Sequence, residues 1–473
     1  MPHPLTDTAV GARLDRASWQ RMHTTILLAL GAGWLFDSFE VQLFSSAIGP
    51  LGDHFHASVF QRDAVLAVWL GGILIGAVTG GRLADRFGRR RLFVLTLLWY
   101  AGFTVLTGLS PTLAFVYGFR FLAALGVGAE YAIINAAIAE FMPARVRGKA
   151  NAFVMNFWPA GAIVAALLAY LALDTLALSN TVSWRYMFVL GGLLALVVLY
   201  FRRRIPESPR WLLARGRTAE AEQVLRSLEA RGGDESADKV VPDPTVVAAM
   251  PRRRSVFGEL VRHYPGRLVL GSLLDLAEAF GFYGLFALLS VIVLPRVQLS
   301  QAGIPIFYLI GNVGALAGGL LMASLFDRVG HRRMVTGCYL LSAVGIAGLA
   351  AATASGSAVW VTVAFVAASA FSTAAWTSAY PTFTELFPTH LRGVGVGTCV
   401  AIGRIGAIVG TLALPSIAAG LGATASYALV AVFWLVGAAT MTTYTLRGGA
   451  EGSRRSLETL APRQQASSLV TAA

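Results

Sequence analysis

Gly81–Arg91 reads GRLADRFGRRR, a glycine, one aspartate and a cluster of arginines set between two long apolar runs. A weaker copy, Ala323–Arg333, reads ASLFDRVGHRR and again separates two apolar runs. In it Asp327 stands where Asp85 stands, 242 residues on (327 less 85). A second pair of landmarks keeps the same order: Glu140–Gly148, EFMPARVRG, returns as Glu385–Gly393, ELFPTHLRG, 245 residues on (385 less 140). Two landmarks at nearly one offset mark a duplicated chain, a bundle of helices built twice.

The runs around these landmarks are long. Of 473 residues, 56% are hydrophobic and only 13% charged, far from the balance of a water-soluble domain. A bilayer crossing needs about 20 mostly apolar residues. Twelve stretches qualify: about 24–50, 64–83, 92–109, 112–139, 150–173, 185–201, 267–295, 303–326, 334–353, 358–384, 394–420 and 424–446. They divide the chain into a tail (1–23), a six-helix half (24–201), a linker (202–266), a second six-helix half (267–446) and a second tail (447–473). The expected fold is an all-α membrane protein of twelve transmembrane helices in two pseudo-symmetric halves. The first span follows polar residues that include Asp15 and Arg16 and lacks a small-residue cleavage site, so it is not read as a removable signal.

A net charge of +13 would suit a nucleic-acid partner, but its placement along the chain argues against one. Arg82, Arg86 and Arg89–Arg91 lie between spans two and three, Arg145, Arg147 and Lys149 between four and five, and Arg328, Arg332 and Arg333 between eight and nine. The alternate connections are nearly bare. Retention of positive charge puts both termini and the 202–266 segment in the cytoplasm. Cys338 and Cys399 fall in or beside spans, which disfavours a disulfide or a metal set, and the seven histidines sit in tails, loops or span ends. No metal or cofactor is expected beyond a coupling proton.

Span one carries WLFDSFEVQLFSSAIGP, with Asp37 and Glu40 three residues apart and so on one helix face. Carboxylates inside a membrane face a bundle interior or watery cavity and mark ion or substrate pathways. Span four opens with Arg120 and carries Glu130 ten residues on, about 15 Å along the helix. Span one rises from the cytoplasm and span four descends, so residue counting places Arg120 nearer Glu40 than Glu130. A Glu40–Arg120 contact is therefore expected, with Asp37 in reserve. A desolvated carboxylate tends to hold its proton and a nearby arginine to expel it, so such a pair can load and unload one.

At this point IAEFMPARVRGKANAF, PESPRWLLARGRTAEAEQVL at Pro206–Leu225 and GRLADRFGRRR together resemble the sugar-porter branch of the major facilitator superfamily, across the whole first half. The resemblance implies a midplane site between two six-helix halves and rocking alternating access. It also implies that Glu40 and Arg120 form the proton-coupling pair, and that Asp85, near a helix N-terminus, joins Arg86 and Arg147 in a cytoplasmic gate. The repeat extends that gate to Asp327, Arg328, Glu140, Glu385 and Arg392.

Residues 206–265 are the main soluble stretch. Leu212, Leu213, Ala219, Val224 and Leu228 recur near helical spacing and predict short amphipathic helices, followed at 232–254 by a linker rich in charge and proline. Span seven departs from the sugar pattern: instead of amides it carries LLDLAEAFGFYGLFALLS, whose Asp275 and Glu278 repeat the spacing of Asp37 and Glu40. Asp275, about eight residues from the inner end, is read as a hydrated pathway group. Tyr308 and Asn312 in span eight, and Trp376 and Tyr380 in span ten, are candidate cavity-lining pairs, with packing as the alternative. In span eleven Arg404 stands near mid-depth, and the surrounding GVGVGTCVAIGRIGAIVG resembles niacin-type and organic-ion relatives. Its partner is either an acid of spans one, four and seven, such as Glu130 or Asp275, or an anionic substrate.

The resulting expectation is a proton-coupled symporter of a small organic solute, preferably a carboxylate or aromatic acid, working as a monomeric unit in the bacterial inner membrane. A sugar or organic-cation transporter and a non-transporting nutrient receptor share the fold and stay open. An integral-membrane enzyme would need a nucleophile–base or metal constellation that these spans do not offer.

Overall fold

The computed structural model describes residues 7–171, 176, 179–229, 256–297 and 303–449. The 232–254 linker and residues 450–473 lie outside the described residues, as do the side chains of Asp85 and Asp327. Eleven helical stretches among the described residues are long and apolar enough to cross a membrane. The last, Leu391–Leu446, runs through two helices, Thr389–Gly420 and Gly422–Leu446, so there are twelve crossings. The chain reverses between them at Gly422, whose φ of 84° is open to glycine at no steric cost.

Spans one to four are Arg21–His54, Val59–Phe87, Arg89–Gly108 and Leu113–Phe141. Span five is two abutting helices, Ala144–Met155 and Phe157–Tyr170, and span six is Asn180–Arg202. Span seven, Pro265–Leu288, continues through a π-helical turn, Leu289–Val293, into Leu294–Val297. Spans eight to ten are Gly303–Val329, His331–Ala354 and Ala358–Leu386, and the two helices above are spans eleven and twelve.

Packing reproduces the duplication. In the first half span one packs on five and six, four on two and three, and three on six; in the second, seven packs on eleven and twelve, ten on eight and nine, and nine on twelve. The halves meet through span two against eleven and span five against eight, which are equivalent contacts under the repeat.

The founding motif is a sharp turn between helices. Gly88 and its copy Gly330 have φ of 92° and 95° and act as N-cap residues of spans three and nine. Neither turn has a side-chain cap of its own. At Gly88 the carboxylate of Glu207, from the PESPR segment, supplies one: it accepts the backbone N–H of Arg89 at 2.7 Å and of Arg90 at 3.4 Å. A Cβ at position 88 would overlap that carboxylate, a second reason for glycine. Two separated sequence motifs are thus halves of one cap.

The amphipathic linker helices form as Pro209–Ala214 and Thr218–Leu228. The N-terminal segment is more than a polar tail, because Asp7–Arg16 is a helix docked on them. Arg13 clamps it there, donating to Glu229 at 2.7 and 2.8 Å and to Glu222 at 2.5 and 3.1 Å.

Candidate functional site

The first half pairs two of its buried mid-bundle acids, Glu40 and Glu130, and leaves the third, Asp37, without an ion pair among the described residues. Glu40 Oε1 accepts from Arg120 Nη1 at 3.5 Å, and both side chains are 0% exposed. The contact expected from residue counting therefore forms. The guanidinium also lies 3.8 Å over the Trp69 ring and 5.0 Å over Phe44, which offsets part of its desolvation. Glu40 Oε2 and Arg120 Nε and Nη2 have no hydrogen-bond partner among the described residues.

One level deeper, Glu130 is gripped by Arg202 of span six, with Nη1 donating to Oε2 at 2.7 Å and Nη2 donating to Oε1; Nη1 also reaches the carbonyl of Phe93 at 2.9 Å. The pair occupies the space beside Gly33 of span one, where a Cβ would strike both partners. Glu130, expected to line the cavity, is instead held in an internal ion pair. Arg202 was not a candidate from sequence, because an arginine at the inner end of a span reads as a retention signal. Asp37 is buried beside these groups and Tyr100.

The second half carries its charges differently. Asp275 and Glu278 are both buried, and neither makes an ion pair among the described residues. The expected hydrated position of Asp275 is corrected: it is fully buried against the backbone of Gly403, where a Cβ would collide with Oδ2. The next residue, Arg404, is 4% exposed and makes no ion pair among the described residues. Its Nη1 donates to the Tyr283 hydroxyl at 3.2 Å and its Nη2 to the Tyr380 hydroxyl at 3.1 Å, while the guanidinium lies 5.2 Å from the Tyr131 ring. Nε has no partner. Arg404 makes no direct ion pair with Glu130 or Asp275 among the described residues, although it is near enough to Asp275 for the two charges to act on each other.

Arg404 is one wall of an aromatic box to which both halves contribute. Trp34 stacks on Tyr131 at 4.7 Å and meets Trp376 edge-on at 5.6 Å and Tyr380 at 6.0 Å. Trp158 lies 5.1 Å from Trp376, and Phe282 closes the far side at 5.6 Å. Trp376 and Tyr380 are thus buried in ring-to-ring packing at the meeting of the two halves. Beside the box a small cavity is lined by Trp158, Phe282, Phe286, Asn312, Ser369 and Thr373. Asn312 therefore lines a cavity, whereas Tyr308 packs on Phe307 and Phe365. Sequence reading missed Trp34, Tyr131, Trp158 and Tyr283; aromatics are common in apolar helices, and only the helix crossings show which of them converge.

The halves approach closely at two glycines. Gly81 of span two meets the Gly393 backbone of span eleven, and Gly319 of span eight leaves room for the Asn156 side chain of span five. The expected gate network turns on Asp85 and Asp327, whose side chains lie outside the described residues. Asp85 lies in the last turn of span two, a C-terminal place in its own helix. Arg86 is exposed, over the ring of Phe87, and Arg328 is exposed. Glu140 is held by Arg89 at 2.9 Å, and its copy Glu385 by His331, also at 2.9 Å. His331 is the repeat counterpart of Arg89. Arg147 is buried, and Arg392 is buried with Nε donating to the Thr384 carbonyl at 2.8 Å. No group of three His, Cys, Asp or Glu among the described residues could hold a metal, and both cysteines are buried and free.

Two six-helix halves around a buried polar and aromatic midplane define the class: a membrane transporter of the major facilitator superfamily. The family described as "Sugar (and other) transporter" matches residues 37–461, and the chain belongs to it. The niacin transporter NiaP of Acinetobacter baylyi is 28% identical over 400 residues, which cover 84% of this chain and 88% of that protein. A probable 4-methylmuconolactone transporter of Cupriavidus pinatubonensis is 28% identical over 411 residues, covering 86% and 87%. Among solved structures the proton:xylose symporter XylE of E. coli, bound to 6-bromo-6-deoxy-D-glucose, superposes with a TM-score of 0.75 over 93% of this chain and 98% of that one, at 20% identity. These relatives are transporters, not enzymes. The chain is a multi-pass membrane protein that carries a small solute.

Proposed function

We propose that the chain is a proton-coupled symporter of a small organic acid, aromatic for preference, in the bacterial inner membrane. The observation that carries this reading is Arg404, a buried arginine at the meeting of the two halves with tyrosine hydroxyls around it and no carboxylate paired to it. A planar guanidinium matches a carboxylate through two parallel bonds. The aromatic walls suit a flat ring, and niacin and a muconolactone are the cargoes named for two relatives. The Glu40–Arg120 pair supports coupling. Rocking that draws Arg120 away leaves an uncompensated buried carboxylate, which takes a proton, and the return of Arg120 releases it. No cofactor beyond the proton enters this cycle, and one monomer suffices for it.

The test is uptake of labelled nicotinate, benzoates, short carboxylates, hexoses and organic cations into vesicles. Acids should accumulate, and Arg404→Ala should weaken them about 10- to 100-fold, the value of a charged hydrogen-bonded pair. Accumulation of sugars or cations alone would move the chain to those classes. Cytoplasmic termini are part of the same reading: a thiol at His56→Cys should react with impermeant reagent from outside and one at Glu235→Cys should not.

A further inference from the structure

On the inner face of the first half a groove of about 770 Å³ opens between the start of span three and the linker helices. One wall is Arg90, Arg91, Val94 and Leu95, and the other includes Trp211 and Val224. Its chemistry changes along its length. Arg90 and Arg91 stand in the first turn of a crossing helix, at headgroup level. One turn on, Leu95 is 57% exposed and begins a stripe, continued by Leu98 and Trp99, that faces the acyl chains. The acids of the groove are already engaged: Glu207 caps span three, and Glu220 accepts from Arg217 through two bonds of 2.6 Å. Arg91 makes no ion pair among the described residues. A cationic end that merges into a membrane-facing apolar end matches an amphiphile whose charge is negative and whose tail lies in the bilayer.

We propose that this groove is a binding site for an anionic phospholipid of the inner leaflet, its phosphate on Arg90 and Arg91 and its glycerol and upper acyl region along Val94 and Leu95. A soluble anion would use the arginines but not the Leu95 wall. The site joins elements that serve the gate. Glu207 caps the motif helix, Arg215 donates to the Arg86 carbonyl at 2.7 Å, and Arg89 of the same turn holds Glu140. A bound lipid would tie the linker helices to the Gly88 turn.

The test uses the purified full-length protein in detergent, titrated with phosphatidylglycerol, phosphatidylcholine or inorganic phosphate and read by native mass spectrometry and thermal unfolding. Phosphatidylglycerol should bind and raise Tm, and the other two should not. The double variant Arg90→Gln/Arg91→Gln should bind it roughly 30-fold more weakly, about tenfold or less per arginine near a lipid surface, and Arg90→Lys/Arg91→Lys should keep most of the binding. Unchanged affinity in the glutamine variant, an equal effect of phosphatidylcholine, or a full effect of inorganic phosphate would overturn the site. Should the glutamine variant fail to fold, a photoactivatable phosphatidylglycerol on the unaltered protein decides: label on peptides holding Val94–Leu95 or Trp211–Val224 supports the site, and label only elsewhere overturns it.

Discussion

The two halves share a packing scheme but spend their buried charges in opposite ways. In the first half Glu40 is matched by Arg120 and Glu130 by Arg202, beside an Asp37 without an ion pair among the described residues, and at the Gly88 turn Glu140 is matched by Arg89. In the second, Asp275 and Glu278 make no ion pair among the described residues, Arg404 bonds to tyrosines, and the place of Arg89 is taken by His331. Buried charge without a counter-charge is costly unless something arrives to receive it. The difference teaches a division of labour. A half that pairs Glu40 and Glu130 with arginines can act by making and breaking those pairs, with Asp37 buried beside them in no ion pair among the described residues. A half whose arginine is bonded to tyrosine hydroxyls rather than to a carboxylate offers a place to a ligand.

The largest effect should come from the pair assigned to the proton. Glu40→Gln should abolish accumulation driven by a proton gradient while leaving substrate exchange measurable in counterflow. Full accumulation would remove Glu40 from coupling and pass the role to Asp37. The inner pair should answer differently. Arg202→Ala strands Glu130 and should cost about 3–5 kcal/mol of stability, whereas a double change of both partners to apolar residues of similar volume should cost far less. Thermal unfolding of the two variants separates them, and equal losses would mean that the pair's geometry rather than its charge balance matters.

A smaller and more local effect is expected at Gly403. Its Cβ would enter the space of Asp275, so Gly403→Ala should displace that acid and the neighbouring Arg404. Substrate KM should rise while proton coupling through Glu40 persists. A changed coupling ratio with unchanged KM would place Asp275 in the proton path instead.

The smallest effect concerns the N-terminal helix. Arg13 holds the Glu222 carboxyl below its ordinary range through their hydrogen bonds. A depressed carboxylate contributes stability above its unfolded pKa and loses it as pH falls through the folded value. Docking of Asp7–Arg16 should therefore hold at pH 7 and loosen below about pH 4, with weakening also in high salt. Hydrogen exchange of that helix reads it directly, and protection independent of pH and salt would show that apolar contacts alone hold it.

Much of this architecture is legible in the chain. The duplicated GRLADRFGRRR and EFMPARVRG landmarks give the two halves. The spacing of apolar runs gives the crossings, and the opposed directions of spans one and four were enough to bring Glu40 to Arg120. What was illegible depends on helix rotation and crossing. Arg202 and Glu130 are far apart in sequence, and nothing local separates Arg202 from the other arginines at inner span ends. Tyr131, Tyr283 and Trp34 become a site only when helices of both halves turn them onto Arg404. The burial of Asp275 was missed because counting from the helix end measures distance along the axis and ignores that Gly403 lets a neighbouring helix close over it. At the two repeat turns the motif offers several cations, and only the fold chooses Arg89 for Glu140 and His331 for Glu385.

The division of labour is tested most directly by binding to the purified protein at fixed pH, without any gradient. Trp34, Trp158 and Trp376 line the box, so intrinsic tryptophan fluorescence reports occupancy. Nicotinate or a benzoate should quench the unaltered protein and Glu40→Gln with similar Kd, and Arg404→Ala should bind about 10- to 100-fold more weakly. Equal binding by Arg404→Ala, or loss of binding in Glu40→Gln alone, would contradict the assignment of substrate to the second half and proton to the first.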